Sequence, residues 1–127
     1  MGPKLREQAL RSIKAPGTAY DNEFNELMGK DPQPDHMSNL YKGKADNGGV
    51  HINSGILNKV FYLTATAIGT DKAALLWFDT LKMLKPTTSF RSFKTALLKQ
   101  AKKMAKAGSV PTDTESVAKK SFLAVGL

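Results

Sequence analysis

Apolar residues recur at helical spacing in four consecutive segments that fill the second half of this 127-residue chain. The first runs from about 54 to 68 and ends at Gly69, the second lies between Thr70 and Pro86, the third between Ser89 and Gly108, and the fourth opens at Thr112. Before them, from Ala15 to Gly49, proline and glycine interrupt the sequence repeatedly, as they do in loops. The pattern predicts a mainly α fold, in which a loop-rich N-terminal third precedes a four-helix, bundle-like domain with orthogonal helices.

Each predicted helix has a polar residue in position to cap its first turn. Ser54, Thr70 and Ser89 are the predicted N-caps of the first three helices, and Thr112 with Glu115 forms a candidate capping box for the fourth. The predicted core consists of the apolar residues that recur at helical spacing: Ile56, Val60, Leu63, Ala67, Leu75, Trp77, Phe78, Leu81, Leu84, Phe90, Phe93, Leu97, Ala101, Met104, Val117, Phe122 and Val125. We expect these side chains to form a core and not a cofactor pocket, because no polar groups converge among them.

Length limits the chain to one domain, residues 1–127, which we divide into a loop-rich segment at 1–49 and a helical core at 50–127. Gly48 and Gly49 mark this division and predict a turn that leads into the helix start at Ser54. The absence of cysteine excludes a disulfide framework and a thiol nucleophile. No stretch approaches the ~20 apolar residues that a membrane span requires, so we expect no membrane partner.

Charge is distributed unevenly along the chain. Residues 1–69 carry 8 basic and 7 acidic residues, whereas residues 70–127 carry 11 basic and 4 acidic, so the second part holds +7 of the net +8. Five lysines share one broad face of the third predicted helix: Lys94, Lys99, Lys102, Lys103 and Lys106. Such a face can follow a phosphate backbone, but no aromatic residues interleave with these lysines. We therefore expect a solvated helix face and no nucleic-acid partner.

The residue pair with the clearest chemical meaning is Asp46 with His51, which stands five positions later. A carboxylate near an imidazole raises the pKa of the imidazole and selects the ring nitrogen that carries the proton. Such a pair can donate a proton or stabilise a developing oxyanion, although the spacing alone is equally compatible with two solvated side chains. The other histidine, His36, follows Asp31 and Asp35 in a proline-containing stretch that we interpret as a solvated loop and not as a metal site.

The string around this pair resembles a segment of the thermolysin family of zinc metallopeptidases. It reads Asp-Asn-Gly-Gly-Val-His-Ile-Asn-Ser-Gly-Ile over residues 46–56. The resemblance extends to Leu-Arg-Ser-Ile at 10–13, to Pro-Asp-His-Met-Ser at 34–38 and to Leu-Lys-Pro-Thr-Thr-Ser-Phe at 84–90. It covers nearly the whole chain and identifies it as a C-terminal domain of the thermolysin type.

The resemblance implies roles for five residues of this sequence. His51 is expected to donate a hydrogen bond to the oxyanion of the hydrolysed peptide bond, and Asp46 to orient the imidazole and favour its protonated form. Arg11 is expected to donate to the substrate carbonyl beyond the scissile bond, and Leu10 to line the pocket for the side chain that follows it. Asn47 lies beside the pair and is expected to help place the substrate backbone.

The family also implies zinc, which polarises the carbonyl and its bound water while a glutamate takes the water proton. Two zinc ligands of the family come from an HExxH motif, and that motif is absent from this sequence. We therefore expect zinc in a longer parent enzyme, with every ligand outside this chain, and no catalysis by the chain alone. The missing N-terminal zinc-binding domain and a peptide substrate are then its expected partners.

Two departures from thermolysin itself resemble the shorter, protealysin-like branch of the family. The chain passes directly from Gly69 to Thr70 without a longer glycine-rich hairpin, and it carries extra residues between Ile13 and Asp31. Calcium is possible in the parent but cannot be assigned to residues here. The family implies secretion, with a cytoplasmic location as the alternative. Two other classes of function stay open at this point: a non-catalytic helical interaction module and a basic nucleic-acid-binding bundle.

Overall fold

The computed structural model describes residues 13–17, 33–40, 42, 45–85 and 88–127, with the backbone alone at 45–52. A 3₁₀ turn at Met37–Asn39 precedes four α-helices: α1 (Ala45–Ile68), α2 (Thr70–Leu81), α3 (Phe90–Lys106) and α4 (Thr114–Ala124). No strand occurs among the described residues. The predicted mainly α fold with four helices is confirmed.

Helix α1 begins at Ala45, nine residues before the predicted start at Ser54. The predicted N-cap at Ser54 and the predicted turn at Gly48 and Gly49 are therefore wrong, since all three residues lie inside the helix. Two glycines near the start of a 24-residue helix cost about 1 kcal/mol each relative to alanine, and packing further along the helix outweighs this cost. Ile56 and Val60, both completely buried, supply that packing.

Gly69 directly follows the last residue of α1, as predicted, and is also the N-cap residue of α2. Its amide donates to Ala65 O at 2.8 Å, and its own carbonyl accepts from the amide of Ala73 at 3.0 Å. Its φ of +94° lies in the region that favours glycine. Thr70, the predicted cap, is instead the first residue of α2, and no side chain caps that helix.

Helix α2 buries a different face from the one predicted. Ala73, Leu76 and Thr80 are fully buried, whereas Phe78 is 62% and Leu81 is 55% exposed. The predicted core residues Leu75 and Leu84 are also not buried, and Leu75 is 40% exposed. Apolar residues occur on both sides of this helix, so spacing alone does not select a face. Thr80 is buried at little cost because its hydroxyl donates to Leu76 O at 2.8 Å.

Helix α3 agrees with the prediction at its start and in its buried face. Ser89 caps it by accepting from the amide of Ser92 at 3.1 Å. Its buried residues, Phe93, Leu97, Ala101 and Met104, are four of the five predicted. Four of the five predicted surface lysines are exposed, while Lys94 is partly buried and donates to the backbone carbonyl of Leu127.

Helix α4 begins at Thr114, two residues after the predicted start. The predicted capping box of Thr112 and Glu115 does not form, because Asp113 is the N-cap residue and makes no side-chain cap bond. The hydroxyl of Thr114 donates to Pro111 O at 2.7 Å and so satisfies a buried polar group. Phe122 and Val125 are buried as predicted.

The chain divides into two compact units, residues 1–59 and 60–127. In the second unit, a row of four aromatic rings links the helices. Ring centroids are 5.1 Å apart for Phe61 and Trp77, 6.0 Å for Trp77 and Phe93, and 6.3 Å for Phe93 and Phe122. The buried hydroxyls of Thr64 and Ser121 lie 3.2 Å apart and join α1 to α4. Among the described helices, none is long and apolar enough to cross a membrane.

Candidate active-site scaffold

Three of the five predicted site residues lie in the first turns of α1. Asp46, Asn47 and His51 belong to the helical stretch in which the structure describes the backbone alone. Leu10 and Arg11 lie outside the described residues. The roles assigned to these five side chains therefore stay predictions, as does the division of the domain at residues 49 and 50.

The helical register changes the neighbours expected for position 51. At 3.6 residues per turn, positions 46 and 51 are about 140° apart around α1, whereas positions 47, 51 and 55 share one face. Asn47 thus stands one turn before His51, and Gly55 stands one turn after it. Gly48 and Gly49 lie between positions 46 and 51 and lower the helix propensity of the first turns.

Gly55 is the point where two loop segments meet α1. A Cβ atom on Gly55 would lie 2.7 Å from Pro34 O, 2.8 Å from Gln33 Cβ and 3.1 Å from Pro16 Cβ. Real Cβ atoms essentially never show contacts under 3.0 Å, so any larger residue would displace backbone there. A helical glycine can indicate such a close approach, and this is the sequence signal that could have identified Gly55.

Two side-chain hydrogen bonds join the same segments to the helix. Gln33 Nε2 donates to Ser54 Oγ at 3.2 Å, and Lys59 Nζ donates to Lys14 O at 2.6 Å. Both bonds lie within residues 1–59, on either side of Gly55 in the helix. Sequence reasoning missed Gln33 and Lys59 because their partners are 21 and 45 positions away and no local pattern indicates them.

His36 has a structural role in the loop that precedes the helix. Its Nδ1 atom accepts from the amide of Ser38 at 3.0 Å and so caps the 3₁₀ turn. The described residues contain no group of three or more His, Cys, Asp or Glu side chains that could hold a metal ion. Asp31, which the sequence places near His36, lies outside the part of the chain that the structure describes. The described donors therefore do not fit a zinc site.

Comparison with known proteins identifies the class to which this scaffold belongs. A family model described as the α-helical domain of thermolysin metallopeptidases matches residues 1–127. An extracellular metalloprotease of Pectobacterium carotovorum subsp. carotovorum is 48% identical over 104 residues, which cover 78% of this chain and 29% of the relative. Thermolysin of Alicyclobacillus acidocaldarius subsp. acidocaldarius is 35% identical over 136 aligned positions, covering 98% of this chain and 22% of the relative.

A solved structure supports the same class. The precursor of protealysin, a metalloproteinase from Serratia proteamaculans, is 41% identical with a TM-score of 0.79, and the match covers 93% of this chain and 36% of that one. The helices and the matched sequence together define the α-helical domain of a metallopeptidase. The chain belongs to the thermolysin family and is similar to its C-terminal domain, which confirms the resemblance seen in the sequence. It spans less than a third of the length of these two curated relatives.

Proposed function

We propose that this chain is the C-terminal part of a zinc-dependent endopeptidase and supplies one side of its active site. The observation that carries the proposal is the family match over residues 1–127, which includes the segment with Asp46 and His51. In the proposed reaction, water adds to the carbonyl carbon of a peptide bond and gives up a proton, and the carbonyl oxygen becomes an oxyanion. The carbonyl then re-forms as the C–N bond breaks, and the leaving amine takes up the proton. Groups on this chain bind the substrate and stabilise that oxyanion.

Each proposed residue has one task in this reaction. His51 donates a hydrogen bond to the oxyanion from a protonated imidazole, and this bond strengthens as negative charge develops on the oxygen. Asp46 keeps the imidazole protonated and oriented. Arg11 holds the substrate backbone with its planar set of donors, Leu10 contacts the side chain after the scissile bond, and Asn47 assists in placing the backbone.

In our proposal zinc belongs to the part of the protein outside this chain, because the sequence lacks the HExxH motif that supplies two of the family's zinc ligands. The isolated chain is therefore expected to bind no stoichiometric zinc and to cleave no peptide. Metal analysis after chelation and reloading with zinc measures the first property, and a peptide-cleavage assay measures the second. The intact protein serves as the control and should retain one zinc. One tightly held zinc per isolated chain would contradict the proposal.

Asp46 and Asn47 can be distinguished by their effect on the pH dependence of the intact enzyme. Asp46→Asn removes the charge that favours the protonated imidazole, so His51 should lose its proton at lower pH. The alkaline limb of the pH–rate profile should then move toward acid, and kcat should fall by less than in a variant without His51. Asn47→Ala is the matched control, since it changes the neighbouring side chain without changing charge.

If the alkaline limb shifted in Asn47→Ala but not in Asp46→Asn, Asn47 and not Asp46 would be the residue that pairs with the imidazole of His51. This result would also contradict the role proposed for Asp46. The pH–rate profiles of the two variants, recorded on the same peptide, therefore decide which residue is the partner of His51. The candidates are Asp46, which the family resemblance implies, and Asn47, which the register of α1 places one turn before His51.

Secretion and the remaining partners are also proposals. The Pectobacterium relative and a Serratia marcescens relative are both named extracellular proteases, and we propose the same location for the protein that contains this chain. Its proposed partners are a peptide or protein substrate and the N-terminal, zinc-binding part of the same protein. Fractionation of a culture into cells and medium, followed by immunodetection with an antibody against this chain, tests the location. Recovery in the cells alone would favour the cytoplasmic alternative.

A further inference from the structure

We propose that one side of α3 is a docking surface for an acidic segment of a partner protein. This cationic face consists of four exposed lysines, Lys99, Lys102, Lys103 and Lys106. All four lie within the second compact unit, residues 60–127. The inference concerns the binding of a partner and does not depend on the proposed catalytic role of the chain.

The helical register gathers the four lysines on one side of α3. At 100° per residue they fall within an arc of about 100°, and they span about 10 Å along the helix axis. The buried residues Leu97 and Ala101 lie on the opposite side of the helix. A partner can therefore approach all four ammonium groups from one direction.

The positive charges of the cationic face are not neutralised within the described part of the chain. No described carboxylate lies within ion-pair distance of the four ammonium groups, whereas Lys82 and Asp79 do form an ion pair. Like charges one helical turn apart destabilise a helix. The helix dipole offsets this repulsion for Lys103 and Lys106 in the last turn, but the other two lysines precede that turn. An anionic partner would relieve the repulsion.

A groove of about 300 Å³ beside the lysines favours a peptide over other anions. Helix α3 contributes Lys102, Ala105 and Lys106 to its lining, and the start of α4 contributes Thr112 and Glu115. A chain of phosphates would meet repulsion from the carboxylate of Glu115, and no aromatic ring lines the groove to stack on a base. A peptide carries both kinds of group, since its acidic side chains suit the lysines and its backbone amides can donate to Glu115.

The experiment measures the binding of an acidic peptide to the intact protein. The probe is a short fluorescent peptide of alternating glutamate and alanine, and its anisotropy is recorded in about 0.15 M salt. Mass spectrometry of the probe after the measurement verifies that it is uncut. Lys102→Gln combined with Lys106→Gln should raise Kd by roughly 3- to 30-fold, the range expected when two surface ion pairs are lost.

Two further double variants distinguish the cationic face from the overall charge. Lys99→Gln with Lys103→Gln removes the other half of the face and should also raise Kd, by at least about threefold. Lys72→Gln with Lys85→Gln is the matched control, because it removes the same charge from exposed positions outside α3. Charges more than about 8 Å away are largely screened at this salt concentration, so Kd in the control should stay within about twofold of wild type.

Equal increases of Kd in all three double variants would mean that only net charge attracts the peptide, and the docking surface would be disproved. Absence of measurable binding by the wild-type protein would overturn the proposal as well. Vesicles that contain an anionic phospholipid and a single-stranded oligonucleotide are the competing probes. Tighter binding of either one than of the acidic peptide would contradict the assignment of this face to an acidic protein segment.

Discussion

Replacement of His51 by alanine in the intact enzyme is expected to lower kcat by about 100- to 1000-fold, the usual cost of one lost oxyanion donor. KM should change much less, because the hydrogen bond becomes strong only when negative charge develops on the carbonyl oxygen. Steady-state kinetics on a single peptide measure both constants. The loss in kcat is also the most direct test of the role that the family resemblance assigns to this chain.

His36→Ala is the matched control for His51→Ala because it removes the other histidine of the chain. His36 caps the 3₁₀ turn at Met37–Asn39, so its loss should affect local stability and leave kcat near the wild-type value. If kcat in His51→Ala stayed within a factor of about three of wild type, His51 would be a helix residue without a catalytic role. Equal losses in both variants would indicate general damage to the fold.

Truncation of Phe122 to alanine is expected to reduce the free energy of unfolding by about 3–5 kcal/mol. Phe122 is completely buried at the end of the aromatic row, and its ring centroid lies 6.3 Å from that of Phe93. Removal of the ring loses both apolar burial and the aromatic contact. Denaturant unfolding of the chain, followed by circular dichroism, measures the change.

Leu123→Ala provides the control for Phe122→Ala at the next position of the same helix. Leu123 is 63% exposed, so its truncation should change the free energy of unfolding by no more than about 0.5 kcal/mol. Similar losses in the two variants would mean that α4 does not pack by the face that contains Phe122. An unchanged slope of free energy against denaturant concentration is needed for the comparison, since a changed slope indicates a different unfolded or native state.

The sequence was sufficient to predict the helices that have one apolar face. In α3, the line from Phe93 to Met104 is apolar and the opposite side carries lysines, so only one orientation buries the apolar residues and solvates the charges. Helix α2 lacks that asymmetry, since Leu76 lies on one face and Phe78 and Leu81 lie on another. Its buried face depends on which neighbours it meets in space, and that information is not local in sequence.

The candidate site shows the same limit of sequence reasoning. The residues from Asp46 to Gly55 could be recognised because the whole string resembles a family segment. Gly48 and Gly49 nevertheless led to a wrong prediction of a turn, since glycine permits a turn but does not enforce one. Gly55 is part of the string that resembles the family, yet the close approach of Pro34 O to it depends on a loop that meets the helix through tertiary packing. Local propensity contains no information about such an approach.

The two apolar faces of α2 also affect how the second unit reaches its native state. A helix with Leu76 on one side and Phe78 and Leu81 on the other can collapse onto its neighbours by either side. Only one docking places Trp77 between Phe61 and Phe93. We expect the other docking, which would bury Phe78 and Leu81, to be a local source of frustration in the folding landscape. The contacts of Trp77 with Phe61 and Phe93 are what distinguish the native docking of α2 from the other.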